Sequence, residues 1–186
     1  MTTTPPYALV FNVAGLLGDV PGAHRDVKAS GVAIELGEDL HQAGPLSVSA
    51  RLARTNRGVI VTGSVAVVLG DICGRCLTPI EVPLAVTIDE EVLPSVDLQS
   101  GLPVETADEP EAFRLNDHHE LDLEILAREA VQLAAPIAPV CDLDCAGLCP
   151  TCGGDLNATP HGHYDGPPDP RLARLAEFAA DDRADA

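Results

Sequence analysis

Apolar residues in the first half of this chain recur mostly at every second position, the spacing of half-buried strands. Leu9, Phe11 and Val13 form a short strand pattern closed by Gly15 and Gly18. Residues 19–31 hold Pro, Gly, His, Arg, Asp and Lys and read as a loop, and Val32, Ile34 and Leu36 then alternate briefly. The clearest strand follows: Leu46, Val48, Ala50 and Leu52 face one side, with Ser47, Ser49 and Arg51 on the other. Thr55-Asn56-Arg57-Gly58 has hairpin-turn length, with Gly58 available for positive φ. Residues 59–69 are β-rich on both faces, which predicts a central strand. Val82, Leu84, Val86, Ile88 and Val92 alternate with Pro83, Thr87, Asp89 and Glu91. Pro83 has no N–H for a ladder, so this strand is expected at an edge.

The second half changes period. Residues 93–117 contain Pro94, Gly101, Pro103, Pro110 and many acids, and predict a long mobile loop. A helix is expected next, with Asp122 as N-cap and Leu123, Leu126, Ala127, Ala130, Leu133 and Ala134 as its apolar stripe. Pro136 and Pro139 stop it. Residues 166–170, Gly-Pro-Pro-Asp-Pro, read as a linker, and Leu172, Leu175, Ala176 and Ala179 mark a short terminal helix. The predicted class is α+β: an antiparallel β-sheet with one long helix and a Cys-rich zinc-binding module. The expected organisation is an α+β domain at 1–140, a Cys/His module at 141–165 packed on it, and a linker with short helix at 166–186.

Charge narrows the partners. The 186 residues carry 29 acids and 11 bases, a net −18. Residues 1–76 are neutral, whereas 77–127 hold thirteen acids and one base, Arg114. This segment is either a solvated acidic loop or a docking surface for a basic partner. Net negative charge disfavours wrapping a phosphate backbone or docking on anionic lipid. Three Phe, two Tyr and no Trp give little base-stacking surface. No apolar run approaches membrane-spanning length, and MTTTPPYALVFNVAG lacks the basic start of a secretory signal. A cytoplasmic protein without membrane contact is expected.

The cysteines carry the chemistry. All six fall into pairs: Cys73-x2-Cys76, Cys141-x3-Cys145 and Cys149-x2-Cys152, with His161-x-His163 close behind. In a reducing compartment such pairs point to metal rather than disulfides. Thiolates with imidazoles at this spacing select zinc, which takes four ligands in a tetrahedron. Gly74, Gly153 and Gly154 beside the pairs permit tight turns. Eight candidates suit two sites: Cys73, Cys76, Cys141 and Cys145 in one, Cys149, Cys152, His161 and His163 in the other. A single ribbon-like site of Cys73, Cys76, Cys149 and Cys152 is the alternative, with His161 and His163 solvated in a tail. The local spacing of 149–163, able to close a site by itself, favours two. His24, His41, His118 and His119 read as surface histidines. Cys-Gly-Arg-Cys also resembles a redox motif, but Thr78-Pro79 and a strand pattern follow it instead of an activating helix. No GxSxG, P-loop, GxGxxG or HExxH occurs, so no catalytic residues are expected.

The chain resembles the YceD family, the large ribosomal RNA subunit accumulation proteins. The resemblance rests on Cys73-Gly74-Arg75-Cys76-Leu77-Thr78-Pro79, on Glu129 with Leu133-Ala134-Ala135-Pro136, and on Pro139-Val140-Cys141. It continues through Gly147-Leu148-Cys149-Pro150-Thr151-Cys152-Gly153-Gly154-Asp155-Leu156-Asn157 and Asp169-Pro170-Arg171-Leu172 with Leu175. Family members often carry cysteines where this chain has His161 and His163, and imidazole replaces thiolate at zinc. The resemblance implies a non-enzymatic role in making, processing or stabilising large-subunit ribosomal RNA. An acidic chain suits holding a basic ribosomal protein or a pre-ribosomal particle, with rRNA contacted indirectly. The alternative is direct RNA binding through the basic cluster of Arg51, Arg54, Arg57 and Arg75 around the β-hairpin; redox catalysis at a CxxC is a third reading.

Overall fold

The structure is a computed structural model that describes residues 8–104, 111–163 and Arg171. The expected linker and terminal helix, and Asp108 and Glu109 of the acidic segment, lie outside the described residues. The described residues divide into two units: those up to Gly74 together with Thr78–Cys141, and Arg75–Leu77 together with those from Asp142 on.

The first unit is built on an antiparallel sheet of β2 (His24–Val32), β3 (His41–Gln42), β4 (Leu46–Arg54), β5 (Val59–Ile72) and β6 (Pro79–Val92). As expected, β5 is central: β4 and then β3 pair along one side of it, and β6 along the other from Val59↔Val92 to Ile72↔Pro79. Only one face of β5 is buried, by Val59, Val61, Val65, Val67 and Leu69, because Thr62, Ser64 and Ala66 on the other face meet no second layer. The region 19–31 is not a loop throughout. His24–Val32 pairs with β4, burying Val27 and Val32, while Arg25, Asp26 and Lys28 stay exposed. Charged residues on an edge strand masked its two-residue period.

Gly58 closes the β4–β5 turn for a different reason than expected. Its φ is not positive; a Cβ there would sit 2.2 Å from the Val92 carbonyl oxygen, so only glycine lets the β6 end approach. Arg54 braces the same turn by donating to the Leu17, Thr55 and Gly58 carbonyls.

A second, two-stranded sheet pairs β1 (Val10–Asn12) with β7 (Glu120–Asp122) and leads into α2 (Leu123–Ala134); α1 is one short turn at Ala14–Leu17. The Asp122 carboxylate accepts from the Glu124 N–H at 2.8 Å, as an N-cap should. Leu123, Leu126, Ala127 and Val131 are buried, but Leu133 is 89% exposed. The apolar stripe outruns its cover: Leu133 lines an open groove beside β6, with which no further strand pairs among the described residues.

The segment 93–117 differs from free coil on both described flanks. Leu93 donates to the Phe113 carbonyl and accepts from Leu115, both at 2.9 Å, and Val104 donates to Ser95 at 2.8 Å. Buried Leu115 anchors it to the core. Four of the acids of 77–127, Glu81, Asp89, Glu90 and Glu91, sit on strand β6 and not in a loop.

Candidate metal centres

Residues 142–163 contain no helix or extended strand, and none of them joins the hydrophobic core cluster. What is buried there is Cys145, Gly147 and Cys149. Short turns hold them. The Cys149 N–H donates to the Gly154 carbonyl and the Gly153 N–H to the Cys149 carbonyl, both at 2.8 Å, which folds Cys149–Gly153 into a knuckle. Gly153 takes φ +72°, a conformation costly to any residue with a Cβ. Leu156 donates to Gly147 at 3.0 Å and Leu148 bridges Asp155, closing the segment on itself.

This brings Cys149, Cys152, His161 and His163 together, their ligand atoms all within 4.8 Å of one another. The His161 Nδ1–H donates to the Thr159 carbonyl at 2.8 Å. That bond leaves Nε2 facing Cys152 Sγ, 3.1 Å away, where it carries a proton toward the thiolate in the metal-free site and, in the neutral ring, offers its lone pair to a metal. In the metal-free site the Cys152 thiol is lowered to about 6, first by the Gly154 backbone N–H and then by His163 and His161. His161 is raised to about 9, first by its bond to Thr159 and then by Cys152. A thiolate therefore exists there near neutral pH, which is the form that binds metal.

Cys73, Cys76, Cys141 and Cys145 form the other group, their Sγ atoms likewise within 4.8 Å of one another. Cys73 and Cys76 lie in a turn closed by the Cys73 N–H to the Thr78 carbonyl at 2.8 Å. The left-handed residue of this turn is Leu77, φ 60°, and not Gly74. No cysteine is in a disulfide. The structure thus groups the eight candidates as in the first of the two divisions the spacing left open. Tetrahedral zinc–thiolate geometry needs sulfurs about 3.8 Å apart, from Zn–S bonds of about 2.3 Å. Sets of four sulfurs, and of two sulfurs with two nitrogens, drawn this close fit a metal ion of that kind.

Asn157, Asp155 and Arg75 support the second unit; Arg75, which the sequence placed in a basic cluster that could touch RNA, is instead engaged within this unit. The Asn157 amide donates to Cys145 Sγ at 3.5 Å, and its Oδ1 accepts from the Ala146 N–H at 2.7 Å. Asp155 Oδ1 in turn accepts from Asn157 Nδ2 at 2.8 Å. The Arg75 guanidinium donates to the Leu143 and Cys145 carbonyls, each at 3.0 Å, and its own carbonyl accepts from Leu148. The signal available was the position of Arg75 inside the first knuckle and of Asn157 at the end of GGDLN.

The remaining candidates are placed as follows. His24, His41 and His118 are exposed, but His119 is half-buried with its Nδ1 unpartnered, held at φ 56° by the turn into β7. Two of the hairpin's three arginines are paired with carboxylates and the third is engaged by carbonyls. Arg51 pairs with Asp26 at 2.8 Å, Arg57 pairs with Glu91 at 2.5 Å, and Arg54 is spent on carbonyls. Asp26 and Glu91 are pulled below the usual carboxylate range first by those arginines, and Asp97 by the Ser100 backbone N–H. No helix among the described residues is long and apolar enough to cross a membrane.

An antiparallel sheet with a cysteine knuckle in its β5–β6 connection and a cysteine-rich segment after α2 defines an α+β protein with two potential metal centres. The profile of the family described as "Large ribosomal RNA subunit accumulation protein YceD" matches residues 61–179, and the chain belongs to that family. It is 38% identical over 139 residues to uncharacterized proteins of Mycobacterium tuberculosis and Mycobacterium bovis, covering 75% of this chain and 64% of theirs. A Mycobacterium leprae relative, also uncharacterized, is 30% identical over 138 residues, 74% of this chain and 61% of its own. The chain thus spans less than two thirds of the length of these relatives. No solved structure matches it.

Proposed function

We propose that this chain is a non-enzymatic ribosome-biogenesis factor acting in the cytoplasm. It supports the accumulation of large-subunit ribosomal RNA by binding a basic ribosomal protein or a pre-ribosomal particle. The family match over 61–179 carries this reading. Charge supports the mode of action: thirteen acids against one base in 77–127 attract a basic protein and repel a phosphate backbone. The pairing of Arg51 and Arg57 with carboxylates weighs against direct RNA contact. Asp26, Glu91 and Asp97 are all displaced downward, opposite to what a general acid needs.

Zinc is the metal we assign to both clusters, since thiolate-rich four-ligand sets select it. Closed sets of four protein ligands leave no open position, so the ions' role is to fix the turns of 73–78 and 141–163.

Affinity capture of the tagged full chain, with and without ribonuclease, tests the function. A basic large-subunit protein that stays bound after ribonuclease and is lost as salt rises is expected. Recovery of rRNA that ribonuclease abolishes, with no protein remaining, would overturn the proposal in favour of direct RNA binding.

A further inference from the structure

Among the described residues β6, fourteen residues long like β5, ends the sheet with an open edge. Among the described residues β6 pairs with β5 alone, over fourteen residues. The direction of its free groups follows from one hydrogen bond. Val68, the partner of Pro83, gives its carbonyl to the Ala43 N–H on the β3 side of β5. Antiparallel alternation then turns the backbone of Pro83, and with it Ala85, Thr87 and Asp89, away from β5. Pro83 spends its missing N–H on this outer edge, where no ladder loses it.

Beside that edge lies a groove of about 450 Å³. Ala85–Glu90 form one wall, and Leu126, Ala130 and Leu133 of α2 with Phe113 form the apolar remainder. Asp89, Glu90 and Glu129 supply its charge, and no Lys or Arg lines it. An edge strand beside a helix, with apolar pockets between them, is the arrangement that accepts an extended peptide as an added strand.

We propose that the β6–α2 groove binds an extended basic segment of a partner protein by strand addition. This rests on the adaptor reading and gives it a site. Backbone groups of Ala85, Thr87 and Asp89 supply the ladder. Alternate apolar side chains of the peptide enter between Leu133 and Phe113; its Lys or Arg residues project to the other face beside Asp89, while Glu90 and Glu129 on the α2 side add to the negative field of the groove. Charge argues against the other occupants. A second copy would bring Glu81, Asp89, Glu90 and Glu91 against their own kind, and residues 105–110 and 164–186 are themselves net acidic. Six residues of strand bury less than a stable complex needs, so the contact is reversible.

The test uses the zinc-loaded full chain and a blocked hexapeptide, Lys-Val-Arg-Leu-Lys-Val, with a Glu-for-Lys/Arg peptide as control. Saturating basic peptide should slow amide exchange at Ala85, Thr87 and Asp89 and leave Leu84, Val86 and Ile88 as they were. Thr87→Pro removes an outward donor without touching the β5 ladder and should weaken binding about tenfold or more. Glu90→Lys with Glu129→Lys should do the same. Protected amides at Val61 and Val65 report that each variant is folded; should Thr87→Pro fail that check, the peptide N-methylated at alternate residues replaces it and should likewise lose binding. Unchanged exchange at Ala85, Thr87 and Asp89, equal binding of the Glu peptide, or Thr87→Pro or the N-methylated peptide binding within about twofold of the parent pair, overturns the proposal. Undiminished capture of a basic large-subunit protein by Thr87→Pro removes this site and leaves the adaptor reading standing. Loss of capture by the parent chain removes that reading instead.

Discussion

Replacing Cys149 by Ser is expected to open the turns of 149–163 while leaving the sheet and the Cys73–Cys145 cluster in place. Cys149 is 5% exposed, and its backbone makes two of the bonds that fold the knuckle, to Gly154 and from Gly153. No residue of 142–163 belongs to the apolar core, so burial contributes little to holding these turns. On the zinc assignment, the metal supplies the difference: structural zinc contributes about 10–16 kcal/mol in small modules, or about 3 kcal/mol for each of four ligands. A loss of about 3 kcal/mol raises the open population about a hundredfold. Amide exchange at Gly153 and Leu156 should accelerate by that factor in Cys149→Ser, while β4–β5 amides stay protected. Chelator should bring the parent chain to the same rates. If Cys149 is only a small buried side chain, the exchange costs about 1 kcal/mol, about fivefold, with or without chelator. A change of that small size, together with chelator-insensitive exchange in the parent, would refute the reasoning.

Three further outcomes are expected. In chelated protein Cys152 should alkylate with a midpoint near pH 6: its thiolate forms as pH rises through about 6 and is lost below it, so zinc should protect it at pH 7 and be released as the solution is acidified. Gly63→Ala should lower stability by about 3 kcal/mol in thermal denaturation, since its Cβ would lie 2.4 Å from Ser49 O and 2.7 Å from Ala50 Cα and force β4 from β5. Neutralising Asp108, Glu109 and Glu111 together should slow association with the captured partner at low salt more than it speeds dissociation, measured by surface kinetics; unchanged rates would make these three charges solubilising only.

The sequence was legible where one period dominated. Leu46 to Leu52 and Val82 to Val92 alternate cleanly, and they became β4 and the edge strand β6 with Pro83 turned outward. His24–Val32 was missed because an edge strand needs only Val27 and Val32 inside, leaving Arg25, Asp26 and Lys28 to mimic a loop. Leu133 was assigned to the buried stripe from spacing alone; periodicity gives the face of a helix but not where its cover stops. The ligand candidates were visible because Cys pairs are rare and closely spaced. The supporting roles of Arg75 and Asn157 were not, since their work is done through carbonyl, backbone N–H and sulfur contacts that only the folded turns create. The acids of 77–127 were visible as charge, but four of them lie along a sheet edge, which charge counting does not reveal.

The most direct test of two metal centres bracing this chain is native mass spectrometry of the full protein prepared without chelator. With zinc assigned to both of the two separate four-ligand groups, a mass increment of two zinc ions per chain is expected, falling to one in Cys149→Ser. A parent chain carrying no zinc, or one ion that Cys73→Ser and Cys149→Ser each abolish, would contradict it; the second result would be the signature of a single site shared by Cys73, Cys76, Cys149 and Cys152.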